Sequence, residues 1–252
     1  PNFSPMPWVT TLPSMAAANY ERQGKALSPA QMKDVEDYAR GEFVTDLMKG
    51  RRDAAAVDRL VGKVTSYTGL DPQFVKRSGG RIDIRAFLRE LYRDSGKIGS
   101  VYDSNVTQDD PFPWAPDGQR GDPILDAIIA PTTSAMVDFD TRVVGWKVEG
   151  RFNALSYDVG ENWEKGVELT EATTDLRQAI AADPKMKVLI VHGYDDLSCP
   201  YFVSRLVIDQ MPITGDPNRV KLSIYPGGHM FYSRPGSQAS FREDVKGVFG
   251  AR

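Results

Sequence analysis

Two loops of this chain hold residue types that can share one proton. The first is His192-Gly193-Tyr194-Asp195-Asp196-Leu197-Ser198-Cys199-Pro200, and the second is Tyr225-Pro226-Gly227-Gly228-His229-Met230-Phe231-Tyr232. An imidazole beside a carboxylate is the acid–base couple of nucleophilic catalysis. The ring takes a proton from the attacking group and returns it to the leaving group, while the carboxylate selects the tautomer and stabilises the imidazolium. His229 is the candidate base, and Asp195 and Asp196 compete for the acid. Gly227 and Gly228 let the backbone turn sharply enough for the ring to reach a site. The plain alternatives are a structural histidine at 229 and a helix N-cap at 196 ahead of Pro200; capping does not exclude catalysis. His192, at the end of an apolar run, is read as structural.

Strands and helices must deliver these loops to one place. Lys187-Val188-Leu189-Ile190-Val191 is a continuous apolar run, the pattern of a strand buried on both faces of a parallel sheet. Helix over Pro200–Met211, strand over Val220–Tyr225 and helix over Ser237–Phe249 follow, with a further helix at Glu171–Ala182 stopped by Pro184. This is the closing section of an α/β sheet, whose functional loops lie beyond the carboxyl ends of the strands. The order acid then histidine is the α/β-hydrolase order. Two parallel strands do not make a stable sheet alone, so the remaining strands are expected from elsewhere.

The first half reads helical. Ser28-Pro29-Ala30-Gln31 is a capping box, with Leu27 and Met32 at staple spacing, and opens a helix through Val35, Ala39, Phe43 and Leu47 to Gly50. Further helices are expected over Asp53–Tyr67, from Asp71-Pro72, and over Asp83–Arg93 with Phe87, Leu88 and Leu91 on one face. Residues 103–123, rich in Asp, Pro and Gly, read as a long surface loop. The acids Asp109, Asp110, Asp117 and Asp122 lack EF-hand spacing and are assigned to that loop, not to calcium. The expected division is a largely helical cap over 1–170 and an α/β core segment over 171–252.

Composition narrows the function classes. The chain has 252 residues, 41% hydrophobic and 26% charged, with net charge −3, and its acids and bases are interleaved, with no basic stripe for nucleic acid. No apolar run is long enough for a membrane helix. One cysteine, Cys199, excludes an internal disulfide framework. The opening Pro1-Asn2-Phe3-Ser4-Pro5 is neither an initiator Met nor a signal peptide, so the chain is expected to be a processed subunit or a piece of a longer protein. The compartment is not legible.

The acid loop, the following helix and Gly227-Gly228-His229-Met230 resemble the Asp and His segments of the serine carboxypeptidase family, closest to its bacterial branch. Leu12-Pro13-Ser14-Met15-Ala16-Ala17-Ala18, Ala39-Arg40-Gly41-Glu42-Phe43, Leu60 through Thr68-Gly69-Leu70, Lys97-Ile98-Gly99 with Tyr102-Asp103, and Leu176 to Pro184 add to the resemblance. It covers nearly the whole chain and is weakest between about 104 and 170. It implies an α/β-hydrolase fold with a helical insertion, so that of the two readings for the helices of residues 28–94, a lid over the site or a packed support, the lid is favoured. It also implies hydrolysis of a peptide's C-terminal residue through an acyl-enzyme, without a cofactor, in a periplasmic or secreted setting. The family places its acid directly before an apolar residue, which selects Asp196. Some members carry a thiol near the substrate pocket at the position of Cys199, and Met230 matches a residue lining the leaving-group side; a small core residue and simple packing are the alternatives for these two.

The nucleophile is the departure. No serine has the Gly-x-Ser-x-Gly setting between strand and helix; Ser78-Gly79-Gly80 and Gly236-Ser237 come nearest. In the family the serine and the oxyanion amides lie upstream. The implied partners are therefore an N-terminal half or chain carrying the serine, and a peptide substrate. Acyl transfer or ester hydrolysis by the same triad, and a non-catalytic binding protein with this fold, are the rival functions.

Overall fold

In the first half, the predicted helix starts are each closed by their own side chain. A computed structural model describes residues 4–115, 121–147, 149–164, 172–212 and 215–250. Helix α1 (Met6–Arg22) is followed by α2 (Pro29–Tyr38), which continues through a π-helical turn (Ala39–Phe43) into α3 (Val44–Lys49). Then come α4 (Ala54–Thr68), α5 (Pro72–Ser78) and α6 (Ile84–Glu90). Ser28 accepts from the Gln31 N–H at 3.2 Å, Asp53 from Ala56 at 2.9 Å, Asp71 from Phe74 at 2.8 Å and Asp83 from Arg85 at 2.9 Å. Each bond satisfies an amide that the first helical turn leaves without a partner.

Helix α1 is the axis of the core. Val9, Leu12, Met15, Ala16, Ala17 and Ala18 are buried, and the run of alanines lets neighbouring helices approach closely. Met32, Val35, Phe43, Leu60, Val64, Phe87 and Leu88 join it in one cluster that also takes in Tyr194, Leu197, Tyr201 and Phe202 of the acid loop and its helix. Helices α2 and α4 of this segment pack on α1, and one hydrophobic cluster joins them to the acid loop and its helix.

Residues 97–109 hold a structure with no strong sequence signal. Strands β1 (Lys97–Gly99) and β2 (Thr107–Asp109) form an antiparallel pair, so the expected surface loop over 103–123 contains one short strand, and its other described residues up to 122 lie outside helix and strand. Its acids Asp110 and Asp122 are buried, each with a partner. Asp110 forms a 2.8 Å ion pair with buried Arg89, and Asp122 accepts from Ser100 Oγ at 2.7 Å while capping the next helix. Asp109 is exposed beside Lys97, and Asp117 lies outside the described residues. Helices α7 (Pro123–Asp138), α8 (Tyr157–Glu164) and α9 (Thr173–Ala182) follow. The stretch from α7 to α8 exposes apolar side chains, Val143, Val144 and Trp146 among them. The expected boundary near 170 falls outside the described residues.

The closing section has the expected order: β3 (Val188–Gly193), α10 (Tyr201–Asp209), β4 (Val220–Tyr225) and α11 (Pro235–Phe249). β3 and β4 are parallel, from Val188 opposite Val220 to Gly193 opposite Tyr225. In this chain by itself Val188–Val191 of β3 are half-buried. Among the described residues each strand has a single neighbour, which leaves the other edge of β3 unpaired. The chain is a mixed α/β protein.

Candidate active site

Because β3 and β4 are parallel and end together at Gly193 and Tyr225, the loops that follow them leave the sheet on the same side. They interlock at once. Tyr194 N–H donates to Tyr225 O and Asp195 N–H to Gly227 O, both at 3.0 Å. A third segment, residues 100–104, threads between them. His229 N–H donates to Tyr102 O at 2.6 Å, Leu197 and Ser198 N–H both donate to Val101 O at 3.0 Å, and Ser104 Oγ donates to Asp195 O at 2.9 Å.

Three backbones meet so closely here that side chains are excluded. A Cβ on Gly193 would lie 2.0 Å from Gly228 O, and one on Gly228 would lie 2.0 Å from Tyr102 O and 2.5 Å from Asp103 Cα. Gly228→Ala is expected to force the backbones apart and to lower the melting temperature by about 5 °C or more, the scale of an overpacked core. Gly247→Ala, on an open face of α11, should be neutral or slightly stabilising. Thermal melts of both variants check this; equal melting of Gly228→Ala and wild type would refute the three-backbone contact.

Within this frame Asp196 and His229 touch. His229 donates from Nδ1 to Asp196 Oδ2 at 2.8 Å. The other oxygen, Oδ1, accepts from the N–H groups of Ser198 at 2.8 Å and Cys199 at 2.9 Å, so the carboxylate is fixed at both ends. Its side chain is 3% exposed and that of His229 is 46% exposed, which puts the acid inside and the ring at the surface. The Tyr102 ring packs edge-on against the imidazole with centroids 5.6 Å apart, and burial pushes its hydroxyl pKa up. Among the described residues no hydroxyl hydrogen-bonds the second ring nitrogen of His229. Asp196 does not cap α10, whose N-cap is Pro200.

The adjacent acid faces the other way. Asp195 is fully buried, 3.9 Å from Arg234 and grouped with Glu21 and Asp103. Burial, the hydrogen bond shared with Glu21 and the negative charges of Glu21 and Asp103 raise its pKa well above the usual carboxylate range. Glu21 moves down to about 2: burial works against this, but hydrogen bonds with Asp195 and Arg234 and the guanidinium charge outweigh it.

His192 is a structural brace. Its Nδ1 lies 3.1 Å from Cys199 O and its Nε2 2.9 Å from Ser204 Oγ, which ties the acid loop to α10, and burial lowers its pKa. Cys199 is exposed, and partial burial together with the Asp196 charge raises its thiol pKa. One donor atom each of Asp196, Cys199 and His229 lies within 4.8 Å of the others. Met230, half-buried, leads into the turn Phe231–Ser233 before α11. Glu21, Tyr102, Asp103 and Arg234 were not singled out as site residues; only the resemblance over Tyr102-Asp103 pointed near them.

A comparison with known proteins finds no matching family model, no matching curated protein and no matching solved structure.

Proposed function

We propose that this chain supplies the acid–base part of a serine hydrolase of the α/β-hydrolase fold, acting as a carboxypeptidase with a polypeptide that carries the nucleophile. One observation carries the reading: adjacent parallel strands bring a buried carboxylate and a half-exposed imidazole into a 2.8 Å hydrogen bond. In this mechanism the free ring nitrogen of His229 takes the proton of a serine hydroxyl as its oxygen attacks the scissile carbonyl. The imidazolium, stabilised by the Asp196 carboxylate, then gives that proton to the departing amino acid, leaving an acyl-enzyme that water cleaves by the same two steps. Restriction to peptide C termini rests on the motif resemblance, as do the roles given to Cys199 and Met230 at the substrate pocket.

An open sheet edge supports the reading that a nucleophile-bearing partner joins this chain. The open edge of β3 and its half-buried apolar residues are what a sheet presents where further strands add. The unpartnered ring nitrogen of His229 also fits a non-catalytic binding protein, and the test separates the two. The chain is purified with everything that accompanies it, treated with a fluorophosphonate probe, and assayed for release of the C-terminal residue from N-blocked dipeptides and for ester cleavage. Label on a serine of the accompanying polypeptide with residue release is the expected result. Ester cleavage without peptide cleavage would move the reading to an esterase, and neither label nor release would leave the binding protein.

Cys199 gives a separate expectation. Its sulfur stands beside the Asp196–His229 pair, and its raised thiol pKa argues against a thiolate nucleophile. A bulky thiol reagent should inhibit by obstruction, whereas Cys199→Ser should keep its activity and resist the reagent. A Cys199→Ser protein that the reagent still inhibits would place the thiol away from the pocket.

A further inference from the structure

Arg234 lies five positions beyond His229 and closes a cluster of three carboxylates behind the candidate site. Its guanidinium donates to both oxygens of Glu21, with the Oε2 contact at 3.2 Å, and to Asp103 Oδ2 at 2.8 Å, and it stands 3.9 Å from Asp195 Oδ2. Its stem crosses Gly227, where a Cβ would come within 2.8 Å of Nε. Asp103 Oδ2 also accepts the N–H of Gly228, the residue before His229, at 3.1 Å. Asn105 adds its amide to Glu21 Oε2 at 2.9 Å and its backbone N–H to Asp103 Oδ1 at 3.2 Å. Each carboxylate belongs to a different segment: α1, the 100–104 segment and the acid loop.

We infer that Arg234 is a positioning residue that sets the geometry of the Asp196–His229 pair by clamping Glu21 and Asp103 across the backs of both loops. The inference rests on reading Asp196 and His229 as the acid–base pair. The clamp reaches His229 through Asp103, whose carboxylate holds Gly228 N–H and whose neighbour Tyr102 accepts the His229 N–H. It reaches Asp196 through Ser104, which donates to the carbonyl of Asp195. Three carboxylates face one guanidinium. Among the described residues no N–H group reaches either oxygen of Asp195, so a proton kept there and given to Glu21 both satisfies the buried acid and relieves the excess negative charge. A planar fork can meet Glu21 and Asp103 at once; an ammonium meets them only as a point charge.

The ring tautomer of His229 reads this clamp without any catalytic turnover. An Asp196 held in place keeps the neutral ring protonated at Nδ1, and a displaced Asp196 releases it to a mixture of tautomers. With only two histidines in the chain, long-range proton–nitrogen correlation spectra resolve both rings, and His192→Gln assigns them. Arg234→Lys should fold, melt close to wild type, and lose the single Nδ1–H form of His229. If Arg234→Lys does not fold, Asp103→Ala decides instead: it removes the one oxygen that accepts from both Gly228 and Arg234. A folded variant whose His229 stays wholly in the Nδ1–H form overturns the inference, as does a wild-type ring already mixed between tautomers. Failure of the hydrolase reading shows elsewhere, as an unlabelled serine beside an intact tautomer effect.

Discussion

His229→Ala is expected to remove essentially all turnover, on the order of a 10⁶-fold fall in kcat, while the protein keeps its fold. In the proposed mechanism the ring is the base of both acylation and deacylation, so its loss should stop both. Structure should survive the change. The side chain is 46% exposed and so fills little of the core, and the backbone N–H that anchors the loop to Tyr102 is present in alanine as well. The loss should therefore appear in kcat on N-blocked dipeptides, measured with the nucleophile-bearing partner, and hardly at all in a thermal melt. Activity within tenfold of wild type would take His229 out of the mechanism.

Asp196→Asn should cost roughly 10⁴-fold in kcat. The two N–H groups on Oδ1, from Ser198 and Cys199, hold the amide oxygen in that place and turn the amide nitrogen toward His229 Nδ1. Two donors cannot face each other, so the ring proton moves to the other nitrogen, the one that must be bare to accept the serine proton. Asp195→Asn should be far milder, because that side chain meets Glu21 and Arg234 and not the imidazole, and an amide stands in for a protonated acid. Parallel kcat measurements on the two variants rank them. If Asp195→Asn is the more damaging, the acid was assigned to the wrong neighbour.

That choice shows what the sequence reveals and what it hides. The helix starts at Ser28, Asp53, Asp71 and Asp83 were legible because a cap and its amide are three residues apart at most. The acid and histidine loops were legible because a buried strand, a short loop and a small-residue turn are local patterns. Asp195 and Asp196 are chemically identical neighbours that the residues alone leave open; the resemblance selects Asp196, and the fold turns one toward an imidazole and the other toward two carboxylates. The cluster of Glu21, Asp103, Asp195 and Arg234 spans most of the chain, with Glu21 and Arg234 213 positions apart, and no periodicity joins residues so distant. Strands β1 and β2 are too short to alternate visibly, and the acids around them look solvated until their partners are known. The apolar run of β3 reported its character correctly, but the depth of its burial depends on neighbours that a single strand does not encode.

The π-helical turn at Ala39–Phe43 bears on how this chain tolerates changes in length. A π turn carries one residue more than an α turn, so deleting a residue there would leave a regular helix with its ladder intact. Everything beyond it would swing by about 100° around the helix axis. Buried Leu47 would leave the core, and Asp46 would lose Arg59, which now holds it through two bonds at 2.9 and 2.7 Å. The extra residue acts as a phase setting for α3: local hydrogen bonding is indifferent to it, and the packing of the next two turns depends on it.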